Sequence, residues 1–357
     1  MHRYLLVLLF TLSSLAGGEL SLSSDSDMER AFLESWNGKE SPGTDIIGAW
    51  LIAEGISDSG RIEDFRKEYR SLLANVKSEI DTTDDVDDMA EDIFDFLHDD
   101  VLKEPYENAP FHKIISSGVY NSLTGGALYY LICHDLNLPV TLYISRLFVT
   151  VHVQHGKEEI IVMIIEEDGF DYDMTQIEDV SELFTGLEHI LAHTAIEDIT
   201  TEKMISAQQL AAAFYNNRGI FMNRLQNAQK AIHFFEKAIY VDANISIYRE
   251  NYRATLYLLC DQATNFDPFI PYMRNAFYLL KTDAEFRSLA IYLVEKTMFF
   301  YVEEKRNFPR AVELLNEFKT SYTDQDFCAV LPSSSGRFLI IGQHTMRLAE
   351  PTDMLTN

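Results

Sequence analysis

Gly118-Val-Tyr-Asn-Ser-Leu-Thr-Gly-Gly-Ala-Leu-Tyr-Tyr-Leu-Ile-Cys-His-Asp-Leu-Asn-Leu-Pro-Val140 runs directly into Thr141-Leu-Tyr-Ile-Ser-Arg-Leu-Phe-Val-Thr-Val-His-Val153. Gly118 and Asn121 are turn formers. Ser122 and Thr124 are helix-capping types, and Leu123, Ala127, Leu128, Leu131 and Ile132 supply apolar positions behind them. Asn137 and Pro139 end that helix, and the β-branched run from Val140 to Val153 predicts a strand. Ser122 is therefore expected at a helix N-terminus, where free N–H groups and the helix dipole favour an anion. A nucleophile would be placed in the same position, with its base on the following strand.

Tyr120-Asn121-Ser122-Leu123 through Leu138-Pro139-Val140 resembles the nucleophile helix of the transglutaminase-like superfamily, close to its SirB1-like members. In that family a cysteine follows the Tyr-Asn or Gly-Asn pair, and a Pro-Gly-His-Val-Phe-like strand carries the histidine. Here Ser122 stands in the cysteine slot. Ile144-Ser145-Arg146-Leu147-Phe148-Val149 places Arg146 most simply in the histidine slot. Gly169-Phe170-Asp171-Tyr172-Asp173 is similar to the family's Gly-Phe-Asp-Tyr-Asp segment, so Glu166, Asp171 and Asp173 are the candidates for the third, acidic slot. Phe94-Asp95-Phe96-Leu97-His98 resembles the helix that precedes the nucleophile. The resemblance covers residues 85–200 and implies an α+β, papain-like domain, a helix packed on an antiparallel sheet.

The substitutions change the chemistry. A serine hydroxyl needs a general base within reach, and Arg146 keeps its proton. His152 stands six residues beyond Arg146, about 20 Å along an extended strand. Ser122, Arg146 and the acidic candidates are thus expected to form a degenerate site. Arg146 would serve there as an anion contact or pair internally with Glu166, Asp171 or Asp173.

The rest of the chain frames this segment. Its 357 residues have room for two or three domains. A net charge of -27 argues against nucleic acid as a partner, because phosphate binding requires clustered Lys and Arg. Residues 1–18 read as a signal peptide: His2 and Arg3, then an apolar run, then Ser14-Leu15-Ala16. Export to a periplasmic or extracellular space follows as an expectation, with no transmembrane segment. Cys133, Cys260 and Cys328 are odd in number and far apart, so no disulfide framework is expected. His189 and His193 are i, i+4 but lack a zinc-protease motif. No metal or cofactor is expected.

Residues 19–84 read as helical, with Ile62, Phe65, Tyr69, Leu72, Val76 and Ile80 at helical spacing. Asp81 to Asp88 is an acidic link before a second amphipathic helix. Ile160 to Ile165 predicts another strand, turned at His155-Gly156-Lys157. From residue 201 to 325 the pattern becomes helical, and Gln208 to Asn244 resembles a tetratricopeptide repeat. Tyr215, Gly219 and Met222 fall at its first-helix positions, and Ala231, Phe235 and Ala238 at its second. Asn307 to Phe318 is a weaker match. Such repeats imply a protein or peptide partner, held along Tyr215, Asn216, Asn217 and Arg218. Residues 326–357 form a tail.

Two functions compete on these residues. The first is an exported, non-catalytic binding or scaffold protein built from a pseudoenzyme domain and interaction repeats. The second is an active hydrolase or acyltransferase using Ser122. A base within hydrogen-bond reach of Ser122 separates them. A third reading, a purely helical array, requires that no sheet form between Val140 and Ile165.

Overall fold

The computed structural model describes residues 20–36, 45–81, 83–146, 148–165, 169–172, 201–281 and 283–321. The expected signal peptide, Glu166, Asp173, the His189/His193 pair, Cys328 and the tail lie outside them. The described chain mixes helix with a four-stranded antiparallel sheet, which excludes the purely helical reading. It divides into two compact units. Among the described residues, one holds those within Ser24–Phe221 and Val241–Ile247; the other holds Met222–Tyr240, those from Tyr248 to Ser321, and residues 20–23. The division falls at Phe221.

The first unit opens with helices α1 (Asp27–Ser35), α2 (Ile46–Glu54), α3 (Ser59–Glu79) and α4 (Val86–Phe96). A π-helical turn, Leu97–Val101, extends α4. Two short strands, β1 (Glu104–Pro105) and β2 (Val119–Tyr120), pair in parallel around the small helix α5 (Ile114–Ser117). Helix α6 (Ser122–Asp135) follows, and is buried along nearly its whole length. An apolar surface all round is what a helix needs to sit inside a domain.

The sheet takes one side of α6. Its order is β5-β4-β3-β6, with β3 (Val140–Ile144), β4 (Val149–His155), β5 (Glu158–Val162) and β6 (Lys203–Ile205). The run expected as one strand from Val140 to Val153 is a hairpin. Ile144 pairs with Val149, and Val140 with Val153. The turn closes without a glycine or proline: Ser145 Oγ accepts the Phe148 N–H at 3.0 Å, and the Ser145 N–H donates to the Phe148 carbonyl at 2.9 Å. The second turn is the expected one, with Gly156 at φ +61°. β5 stops at Val162, short of the expected Ile165. β6 was not expected at all; it pairs Ile205 with Leu142.

Period-2 alternation sorts the sheet's faces. Leu142, Val149, Val151, Val153, Val162 and Ile205 are buried on the α6 side. Gly125 and Gly126 permit the close approach. A Cβ at Gly126 would stand 3.2 Å from Val149 Cγ1, and one at Gly125 only 2.6 Å from Ile164 Cγ2. On the helical side, Tyr129 donates to the Ala90 carbonyl of α4 at 2.9 Å. Trp50 of α2 is fully buried against Phe111 and Phe214, and its indole N–H donates to the Ala207 carbonyl at 2.6 Å.

Helix α7 (Leu210–Arg224) carries the chain into the second unit. That unit is helical: α8 (Ala228–Val241), α9 (Ser246–Gln262), α10 (Ile270–Leu279), α11 (Phe286–Phe299) with a π-helical extension Phe300–Glu304, and α12 (Phe308–Ser321). Its core includes Tyr252, Met273, Phe277, Phe286, Leu293 and Phe318, with Phe277 and Phe318 stacked at 5.0 Å. Among the described residues, no helix is long and apolar enough to cross a membrane.

Candidate functional site

The start of α6 is built by reciprocal capping. Asn121, not Ser122, is the N-cap: its side chain accepts the Thr124 N–H at 2.9 Å, and Thr124 Oγ1 accepts the Asn121 N–H at 3.0 Å. Asn121 Nδ2 also donates to the Glu107 carbonyl at 2.8 Å, tying the cap to the chain after β1. Ser122 becomes the first helical residue, buried at 5% exposure.

The Ser122 hydroxyl is engaged in both directions. It accepts the Val149 N–H at 2.7 Å and donates its proton to the Val149 carbonyl at 3.1 Å. Val149 is the first residue of β4, so Ser122 fastens the helix N-terminus to the sheet. Both partners are backbone groups, and neither is a base that could take the hydroxyl proton. Arg146 lies in the Ser145–Phe148 turn, half-buried and three residues before Val149. The fold thus brings the helix start to the end of the hairpin that bears Arg146. Asp171 sits exposed in a turn at φ +52°. Its neighbours follow the edge of the sheet, Tyr172 donating to the Ile161 carbonyl at 2.8 Å.

Cys133, on the same helix, is fully buried and free. Burial pushes its thiol up to about 12, so it is not a nucleophile at neutral pH.

The partner face expected along α7 requires correction. Tyr215 is fully buried and Asn216 is buried, so neither can meet a partner. Asn217 is half-buried. Arg218 turns inward: Nη1 donates to the Ala53 carbonyl at 3.1 Å, and Nη2 lies 3.5 Å from Asp25 Oδ2. It caps the Ala53 carbonyl in the last turn of α2. Desolvation lowers Arg218 from its ordinary value, opposed by Asp25 and Glu29. Gly55, the C-cap of α2, sits at φ +103°, which strains any L side chain, and a Cβ there would also stand 2.8 Å from the Arg218 guanidinium.

One cluster was missed. On the sheet face turned away from α6, His152 is buried between two carboxylates, with Nδ1 3.2 Å from Glu159 and Nε2 3.2 Å from Glu202. Its ring stacks on Tyr143 at 3.9 Å, and Thr150 donates to Glu202. The alternation of Thr150, His152 and Gln154 with three valines was the available signal. No sequence signal pointed to Glu202, because β6 went unseen.

No family model matches the chain, and no curated protein matches it.

Proposed function

We propose that this chain is an exported, non-catalytic binding or scaffold protein. In this reading residues 85–200 are a degenerate transglutaminase-like domain, close to the SirB1-like type, and the later helices are tetratricopeptide-like repeats that hold a protein or peptide partner. One observation carries the non-catalytic half: both hydrogen bonds of Ser122 Oγ go to the Val149 backbone. Attack by this oxygen would require its proton to leave the Val149 carbonyl, and among the described residues no base is hydrogen-bonded to it to receive that proton. The packing of α6 on an antiparallel sheet supports the family resemblance at the level of architecture.

For the partner, the buried α7 residues give way to exposed aromatic and aliphatic side chains of the helical unit. Tyr257 and Leu258 on α9, Tyr278 on α10 and Phe299 on α11 stand 41–53% exposed. Large exposed side chains of this kind are enriched where proteins meet.

Full-length protein treated with a fluorophosphonate probe tests the reading. No adduct is expected on Ser122 by peptide mass spectrometry. An adduct on Ser122 that disappears in Ser122→Ala, in protein that stays folded, would restore the hydrolase or acyltransferase reading.

A further inference from the structure

At the end of β4 farthest from Val149, three metal-ligand side chains converge from two elements. Asp85 and Asp87 stand at the start of α4, and His155 closes β4 at the Gly156 turn. Each offers a donor atom within 4.8 Å of the others. Two donors that share an ion at about 2.1 Å each are at most about 4.2 Å apart, so small side-chain rotations suffice. His155 Nδ1 already lies 3.3 Å from Asp87 Oδ2.

We propose that Asp85, Asp87 and His155 bind a divalent first-row transition ion of the zinc class. One imidazole nitrogen with two carboxylates is a donor set such ions accept, whereas calcium and magnesium favour oxygen alone. Three protein ligands would leave a fourth position for water or a partner's donor.

The plain alternative is a helix start that gathers acids for its own dipole. It explains two first-turn aspartates, but not the rest of the arrangement. Asp87 is half-exposed and meets His155 through Oδ2, but its Oδ1 is turned away from solvent and has no hydrogen-bond partner. A carboxylate oxygen so placed is costly unless a cation or donor meets it. The imidazole comes from a different element, the end of β4, and faces these carboxylates across the gap between strand and helix. The backbone is fixed on both sides: α4 buries Ala90, Ile93 and Phe94, and His155 is paired with Glu158.

The test uses full-length protein stripped with chelator and titrated with zinc chloride by calorimetry. One equivalent should bind, with proton release visible as a buffer-dependent enthalpy. His155→Ala and Asp87→Asn should each weaken binding by roughly tenfold or more in protein that stays folded by circular dichroism. Zinc should raise the melting temperature of the parent chain and not of either variant. Absence of saturable uptake would overturn the proposal. So would one-site binding that both variants retain, which would place the ion elsewhere, or magnesium binding as tight as zinc and indifferent to His155→Ala.

Discussion

Ser122 shows how one hydroxyl can exchange chemistry for attachment. Removing it leaves the Val149 N–H and carbonyl buried without their partner. Ser122→Ala is expected to cost about 1–3 kcal/mol in chemical denaturation. A cysteine fits the slot less well as a fastener, because a thiol is a weak donor and a weak acceptor. Cys133 offers a pH-linked measurement. Its thiol is raised from 9.0 to about 12 by burial. Being raised in the folded state, it contributes stability that is complete below pH 9 and is lost as pH climbs towards 12. The melting temperature should therefore fall across pH 9–12, and less steeply in Cys133→Ala, once that variant's own cavity cost is subtracted at pH 7. Arg218 is likewise an internal part. Arg218→Glu would set a carboxylate beside Asp25 and the Ala53 carbonyl. Loss of fold, read by circular dichroism, is expected to precede any loss of a partner.

Among elements, α6 depends on the glycines that let it lie close. Gly125→Ala places a methyl 2.6 Å from Ile164 Cγ2 and is expected to cost about 1–3 kcal/mol; Ile164→Ala in the same chain should recover part of that loss. The helix and the acidic helix before it were legible, because their caps and spacing are local. What misled was equally local in appearance. Asn121 and Ser122 are both good caps, and the choice fell to Asn121 through Thr124, which returns its bond. The break between β3 and β4 carries no turn residue in the usual sense, since the Ser145 hydroxyl does the turning through a bond to the Phe148 N–H. Tyr215 and Asn216 were placed on a surface by analogy with a repeat, but exposure is set by what packs above a residue, and that is not written at its own position.

For the whole molecule, a charge of -27 means that folding gathers mutually repelling groups. Raising salt from about 0.01 M to 0.15 M shortens the screening length from about 30 Å to 8 Å, and the melting temperature should rise with it. The sheet also sets an order of events. Its fourth strand, Lys203–Ile205, pairs with Val140–Ile144 from some sixty residues earlier. A chain growing from its N-terminus displays β3 with one bare edge until residue 205 has been made. Any product cut at residue 200 keeps that edge for good, and open edges recruit other chains. Truncated chains of this length are therefore expected to accumulate as aggregates. Those that run past β6 to the end of the compact unit should stay dispersed.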